Sequence, residues 1–172
     1  MTLLEQLVTA QFPKMLRNLD KWLEEAATFA KTKSFDPETL LDARLAPDMY
    51  TLRKQIQSAC DSAKLVTARL SGNEAPKHED GQQTLAELRE RLAQVLAFIE
   101  TCSSDLDGAE QRNIVLPFLD GKALSGQDYL AEFAMPNFMF HVTTAYAILR
   151  HNGVELTKRS YIGSLNLRDT SS

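Results

Sequence analysis

Apolar residues recur every three or four positions over four long stretches of this chain, and that spacing limits the fold more than any other feature of the sequence. It places apolar side chains on one face of an α-helix, and that face must be buried against other helices. The clearest series lies in the first stretch and consists of Leu4, Leu7, Val8, Met15, Leu16, Leu19, Trp22, Leu23, Ala26, Phe29 and Ala30. The spacing predicts four long helices, over about residues 3–31, 48–71, 84–102 and 126–151.

Residues that favour helix ends agree with this spacing. Thr84 followed by Glu87 has the pattern of a capping box at the start of the third helix. Gly72 favours the left-handed conformation that ends the second helix, and the pair Asn152 and Gly153 ends the fourth. These signals set the expected limits of the last three helices.

Two prolines, Pro13 and Pro136, lie inside the first and fourth predicted helices. Proline has no N–H, and its ring clashes with the carbonyl four residues earlier, so we expect a bend at each position. The bend at Pro136 has two interpretations. Either it fits the helix around the bundle, or it opens a pocket beside Asn137 and His141.

The period of the sequence changes between the third and fourth helices, in the segment RNIVLPFLDGKAL of residues 112–124. Its β-branched and aromatic run, its Asp120-Gly121 turn and its short second run predict a small β-hairpin. At 172 residues the chain has the length of one domain. The predicted fold is a single all-α domain over residues 1–172, a four-helix bundle with a small β-hairpin before the last long helix.

Charge and motif content argue against several classes of function. A net charge of −4, with no Lys or Arg cluster beyond pairs, provides no surface for nucleic acid or an anionic membrane. No stretch is apolar enough to span a bilayer, and the N-terminal MTLLEQLVTAQFPK lacks the basic start and cleavage site of a signal peptide. Cys60 and Cys102 have no CxxC spacing, which suits reduced thiols in a cytoplasmic protein. The sequence also lacks the motifs of nucleotide, hydrolase-elbow, zincin, calcium and di-iron sites.

The fourth helix carries the residues most suited to chemistry. Asn137 and His141 lie one turn apart, and Thr144 falls in the same sector of the helix. An i, i+4 pair is the spacing by which a helix offers two ligands to one metal. The alternative is that His141 is a core or rim histidine hydrogen-bonded to a neighbour. His151 lies about 15 Å further along the axis, so we interpret it as a helix-end residue.

The second helix carries another i, i+4 polar pair, Gln57 and Asp61. Both lie away from the apolar stripe, so one interpretation is an ordinary solvated face. Cys60 lies nearer the stripe, and we interpret it as a buried small apolar residue rather than a nucleophile.

Three segments, RLAPDM, GQDYLAEFAMPNF and PNFMFHVTTAYAILRHNG, together with the helix order, resemble the DinB/YfiT-like superfamily, which contains proposed metalloenzymes. The resemblance covers nearly the whole chain and points to an uncharacterised branch. It implies a homodimer and a divalent metal held by three histidines, with thiol-dependent transferases or isomerases among the relatives. Matched position by position, His141 is the second histidine of the last helix, Asn137 stands in place of the first, and Gln57 falls near the histidine of the second helix.

We therefore expect a pocket between the second and fourth helices, lined by Gln57, Asp61, Asn137, His141 and Thr144. One neutral imidazole with two carboxamides is a poor ligand set for a transition metal. The favoured hypothesis is a protein that binds a small molecule there, has lost the three-histidine metal site and needs no cofactor. The alternative is a divergent metal- or thiol-dependent transferase or hydrolase, with His141 as general base or as the strong ligand to zinc or nickel. The expected partners are a second copy of the chain and a small molecule, but neither nucleic acid nor a membrane.

Overall fold

The computed structural model describes residues 1–170, which fold mainly into four long helices. The α-helices are α1 (Leu3–Gln6), α2 (Phe12–Lys33), α3 (Leu52–Ser71), α4 (Leu85–Thr101), α5 (Gly126–Asp128), α6 (Met135–His151) and α7 (Lys158–Ile162). Two π-helical segments join α1 to α2 and α5 to α6, and they are Leu7–Gln11 and Tyr129–Ala134. Two short 3₁₀ helices lie in the connections, at Pro37–Asp42 and Ala109–Gln111.

Local capping explains where the long helices begin and end. The Thr51 hydroxyl accepts a bond from the Lys54 N–H, so α3 begins at Leu52 and not near residue 48 as the apolar spacing indicated. Thr84 and Glu87 form the reciprocal capping box at the start of α4. Gly72 ends α3 at φ 81°, a left-handed conformation that a residue with a Cβ adopts at a cost.

Each proline within a long helical stretch follows a π-helical segment. The N–H of Phe12 reaches the carbonyl of Leu7, and that of Met135 reaches the carbonyl of Leu130, so both bonds span five residues rather than four. Pro13 and Pro136 come directly after these two bonds. Because proline removes an N–H from the ladder, a widened turn can absorb the resulting mismatch in register. The prolines in the sequence had indicated only a bend at each position.

The hairpin consists of β1 (Asn113–Val115) and β2 (Ala123–Ser125), which pair antiparallel with Ile114 opposite Leu124. Its second strand leads directly into α5, where the Ser125 hydroxyl accepts from the Asp128 N–H. The hairpin therefore lies directly before the last long helical stretch.

The core lies between α2, α3, α4 and α6. α3 packs most extensively against α6, while α4 packs against both α3 and α2. Phe12 and Phe138 meet at its centre with ring centroids 4.4 Å apart, and both side chains are fully buried. The all-α four-helix bundle with a small hairpin before the last long helix is confirmed. No helix formed by residues 1–170 has the length and apolarity to cross a membrane.

Two features of the fold had no counterpart in the sequence analysis. The short helix α7 packs back onto α2, where the Tyr161 ring stacks on Trp22 and the Asn18 side chain donates to the Tyr161 carbonyl. Residues 72–84, hereafter the α3–α4 connection, lie against α3 and α4 and are held there by a buried arginine described below. The connection therefore covers the face of α3 that carries Gln57, which one interpretation of the sequence had treated as solvent-exposed.

Candidate functional site

A cavity of about 310 Å³ lies between α3 and α6 and is hereafter the α3–α6 pocket. Its polar end is formed by Ser58, Asp61, Ser62, Asn137 and His141. The remaining wall carries one cation, four aromatic rings and three aliphatic side chains, namely Arg69, Tyr50, Phe118, Tyr129, Phe133, Leu65, Leu116 and Ala134. The pocket thus combines a few polar groups with apolar side chains, of which four are aromatic, and this is the usual composition of a small-molecule site.

Antiparallel packing of α3 and α6 brings the polar side chains of the two helices together. Asn137 donates through Nδ2 to the Ser62 hydroxyl at 2.7 Å, and Ser62 in turn donates to the carbonyl of Ser58 at 2.7 Å. The chain of bonds fixes the orientation of the Asn137 carboxamide. Its nitrogen serves as a hydrogen-bond donor within the protein, so Asn137 could offer a metal only its neutral carboxamide oxygen, a weaker ligand than histidine.

His141 is held by a residue that the sequence analysis missed. Its Nδ1 lies 2.8 Å from Oε1 of Gln55, a side chain of α3 that is 1% exposed. Because a carboxamide oxygen only accepts, Nδ1 carries the proton and Nε2 is left as the acceptor of the ring. Burial, and secondarily the charge of Lys54, lowers the pKa of His141 below its usual value. At neutral pH the site therefore presents a neutral imidazole with a defined tautomer.

The lowered pKa of His141 predicts a pH dependence of stability. The unfolded chain binds a proton at His141 more readily than the folded protein does. The contribution of His141 to the free energy of unfolding is therefore fully present above its unfolded pKa of about 6.5, and it is lost as the pH falls through the lower pKa of the folded state. We expect His141→Gln to reduce this slope, by at most about 1.4 kcal/mol per pH unit, the limit for one proton. Burial also lowers the pKa of His78, which acts in the same direction, so part of the slope should remain.

Urea unfolding between pH 5 and 7 measures this slope. The matched control is His151→Gln, which changes an exposed histidine at the end of α6. Carboxylates contribute mainly below about pH 4 and so outside this window. An unchanged slope in His141→Gln would contradict the assignment of a depressed pKa to this residue.

Asp61 reaches the α3–α6 pocket but is already paired with two cations. Its Oδ1 lies 2.8 Å from Nζ of Lys64 and 3.0 Å from Nη2 of Arg91, whose side chains are 7% and 2% exposed. The two ion pairs neutralise the carboxylate and orient it toward α4. Asp61 is therefore poorly placed to serve as a metal ligand or as a free base in the pocket.

Two residues that the sequence analysis placed in the pocket lie elsewhere. Gln57 is 2% exposed and donates through Nε2 to Oε1 of Gln82, so it faces the α3–α4 connection. The expectation of a pocket residue, and the alternative of a solvated face, are both wrong for Gln57, because the connection folds back over this side of α3. Thr144 is buried at 6% exposure and is not among the residues that line the pocket.

A polar stripe on α3 supplies three lining residues that the sequence analysis overlooked, together with Gln55, which holds His141. Gln55, Ser58, Ser62 and Arg69 are separated by three, four and seven positions, which places them on one side of the helix. This spacing was visible in the sequence. It was overlooked because serine and glutamine at helical spacing are typical of solvated surfaces as well as of pockets.

Arg91 is the most deeply buried charge described and anchors the α3–α4 connection. Its guanidinium donates to the carbonyl of Glu79 at 3.2 Å, to Asp80 at 2.8 Å and to Gln82 at 3.0 Å, and it pairs with Asp61. A buried guanidinium requires such partners because its desolvation is costly. The network links the connection, α4 and the rim of the pocket.

The donor set does not fit a three-histidine metal centre. Of the three positions that the resemblance implies, one is His141, the second is an asparagine bonded to Ser62, and the third is Gln57 on another face of α3. Within residues 1–170 no group of three or more His, Cys, Asp or Glu side chains is arranged to hold a metal ion. A single imidazole with neutral amides binds divalent transition metals weakly.

Comparison with known proteins places the chain in a family. A family model described as a domain of unknown function, DUF1993, matches residues 4–162. The structure is similar to the crystal structure of a DinB family member protein from Shewanella denitrificans, with a TM-score of 0.92 and 46% sequence identity. That match covers 96% of this chain and 95% of the other. No curated protein matches the sequence. The chain therefore belongs to the DUF1993 family, and its all-α bundle is DinB-like.

Proposed function

We propose that this protein binds a small molecule in the α3–α6 pocket and does so without the three-histidine metal centre. The observation that carries the proposal is the pairing of His141 with Gln55 at one end of an aromatic-walled cavity. Oriented by Gln55, the imidazole offers Nε2 as an acceptor at a fixed position. The volume of about 310 Å³ lies at the lower end of the range for small-molecule sites.

The ligand set supports the metal-free part of the proposal. Asn137 can offer a metal only a neutral amide oxygen, and Asp61 is neutralised by Lys64 and Arg91. His141 then remains as the one strong donor to zinc or nickel at this site. Binding by one imidazole should be weak, so the protein is proposed to function without a resident metal.

A second candidate is a transferase or hydrolase in which His141 is the general base. It is favoured by the neutral imidazole, whose Nδ1–H is bonded to Gln55 and whose Nε2 can accept a proton. The arrangement suits proton removal from a hydroxyl or thiol bound in the pocket. Turnover of a bound compound that is lost in His141→Gln, with binding retained, would favour the enzyme over the binding protein.

Filling the pocket should abolish binding. Ser62→Trp places a large ring at the polar end, and we expect it to remove the amide shift changes that fragment-sized compounds cause in the ¹⁵N spectrum of the wild-type protein. Thr28→Trp is the matched control, because it adds the same ring at an exposed position of α2. Shift changes at Phe133, Asn137 and His141 identify the pocket. The proposal fails if no fragment perturbs these residues in the wild-type protein, or if Ser62→Trp, still folded, binds the same fragments equally well.

The metal content of the purified, tag-free protein tests the metal-free part of the proposal. Elemental analysis should give zinc and nickel well below one equivalent, and adding either ion should leave the thermal midpoint unchanged, since a ligand that binds the folded state raises it. One equivalent of metal that disappears in His141→Ala would contradict the metal-free part of the proposal and favour the metal-dependent alternative.

A further inference from the structure

We propose that the ligand of the α3–α6 pocket is a planar aromatic molecule that carries an anionic group, and that Arg69 binds this group. The inference rests on the proposed small-molecule function and adds the chemical class of the ligand. It follows from the balance of charge in the pocket, the hydrogen bond that holds Arg69, and the aromatic side chains of the lining.

Arg69 gives the lining of the pocket a net positive charge. Asp61, the acidic residue in the lining, is already neutralised by Lys64 and Arg91. His141 is neutral near pH 7 because burial lowers its pKa. Arg69 itself forms no ion pair with a side-chain carboxylate anywhere in residues 1–170. A half-buried guanidinium without an acidic partner favours an anion over a neutral or cationic ligand.

Tyr129 holds the Arg69 guanidinium in place. Nη1 of Arg69 donates to the Tyr129 hydroxyl at 2.9 Å, and the guanidinium carbon lies 5.7 Å from the centre of the Tyr129 ring. Tyr129 is 1% exposed, so its position is set by the core. A guanidinium has five N–H donors, and one bond to Tyr129 leaves enough for a bidentate contact with a carboxylate. The fork is thus oriented before the ligand arrives.

A connected row of aromatic rings lines the pocket from Tyr129, beside Arg69, through Phe133 to Phe118. Phe133 lies 5.4 Å from Phe118 and 6.0 Å from Tyr129, measured between ring centroids. Phe118 is 60% exposed and Tyr50 is 53% exposed, although both line the cavity. A planar ring bound in the cavity would cover these exposed faces and gain stacking contacts that an alkyl chain lacks.

The length of the pocket limits the size of the ligand. Arg69 and Ser62 are seven residues apart on α3, or about 10 Å along its axis. A molecule of one or two rings could place its anionic group at Arg69 and a polar group near Ser62 and Asn137. Indole-3-acetate has this size and charge, and indole-3-acetamide is its neutral counterpart of the same shape.

Titrations followed by ¹⁵N spectra test the inference with three probes. We expect indole-3-acetate to bind the wild-type protein about tenfold more tightly than indole-3-acetamide, because a charged hydrogen bond is stronger than a neutral one. Octanoate, an aliphatic acid, should bind more weakly than indole-3-acetate. In Arg69→Gln the preference for acid over amide should fall to within about twofold. Arg159→Gln removes an exposed arginine outside the pocket and should keep the full preference.

Tyr129→Phe gives a second and milder test that keeps both the ring and the charge. Loss of the hydroxyl that orients Arg69 should weaken binding of indole-3-acetate by about two- to fivefold and leave indole-3-acetamide unchanged. Arg69→Lys should recover part of the acid preference, because it restores the charge without the planar fork.

The possible outcomes separate this inference from the proposed function. If the amide binds as tightly as the acid, or if Arg69→Gln keeps the acid preference, the anionic part is wrong while small-molecule binding stands. Octanoate binding as tightly as indole-3-acetate would overturn the aromatic part. If none of the three probes perturbs Phe133, Asn137 or His141 while neutral fragments do, the inference falls and the proposed function remains. Absence of pocket binding by any compound would overturn both.

Discussion

Replacing Arg91 with methionine is expected to lower the free energy of unfolding by about 2–3 kcal/mol, although methionine is apolar and similar in length. Two effects oppose each other. Methionine avoids the cost of burying a guanidinium, but the Glu79 carbonyl and the Gln82 side chain lose their charged donor, and Asp61 and Asp80 each lose a partner. The loss of these bonds and ion pairs should outweigh the saving in desolvation, because the guanidinium holds the acceptors in place.

The expected loss is smaller than for a fully buried ion pair. Asp61 and Asp80 are 34% and 43% exposed at their side chains, and they keep Lys64 and Lys54 as partners. Water and the remaining lysines therefore compensate part of the removed charge. Without Arg91, the α3–α4 connection should open locally at a lower free energy than the rest of the fold.

Urea unfolding and amide hydrogen exchange measure the two consequences. Arg89→Met is the matched control on the same helix, since Arg89 pairs with Asp20 and its side chain is 40% exposed. A surface pair of this kind should be worth about 1 kcal/mol or less. Equal losses in Arg91→Met and Arg89→Met, or unchanged exchange in the α3–α4 connection, would show that the buried network does not anchor this segment.

Replacing Trp22 with alanine should have the largest effect on stability, a loss of about 3–5 kcal/mol. Trp22 is 1% exposed, stacks on Tyr161 at 5.6 Å and meets the edge of Tyr146 at 5.4 Å. Its Nε1 donates to the Ser160 carbonyl at 3.4 Å. Truncation leaves a cavity in the core and also removes the surface on which α7 packs, so little of the lost contact can be recovered by collapse.

For a chain of this length, a loss of 3–5 kcal/mol corresponds to a fall in thermal midpoint of about 6–20 °C. Differential scanning calorimetry measures the change. Phe140→Ala is the control, because it removes an aromatic side chain of α6 that is 55% exposed and should change stability by about 0.5 kcal/mol or less. A fall no larger in Trp22→Ala than in Phe140→Ala would contradict the role assigned to this ring.

Much of the fold was predictable because helices depend on local information. The apolar series of α2, the capping box of Thr84 and Glu87, and the left-handed stop at Gly72 all act within a few residues of each other in the chain. The hairpin was predictable for the same reason. Its Asp120-Gly121 turn has φ values of 47° and 80°, the positive region that Asp-Gly favours.

The segments around the two prolines show a feature of the fold that local sequence patterns did not predict. Pro13 and Pro136 signalled an interruption of the ladder, but not that a π-helical turn would precede each of them. A widened turn and a simple bend both accommodate a missing N–H. The choice between them depends on which side chains the segment must direct into the core, and that depends on the neighbouring helices.

Several sequence predictions remain predictions. The homodimer, the cytoplasmic location, the absence of nucleic-acid and membrane partners, and the absence of a metal or other cofactor are each open to experiment. The roles proposed for His141 and Asn137 depend on the binding experiments above.

The sequence alone determined that Asn137 and His141 lie on one face of the last long helix, because four residues always make about one turn. It could not determine what they face. Packing of α3 against α6 decided that Ser62 meets Asn137 and that Gln55 meets His141. The tertiary structure also turned Gln57 toward the α3–α4 connection, because burial of Arg91 holds that segment over α3. The rotation of one helix against another is set by contacts between residues far apart in the chain. Helical periodicity within one segment does not predict those contacts.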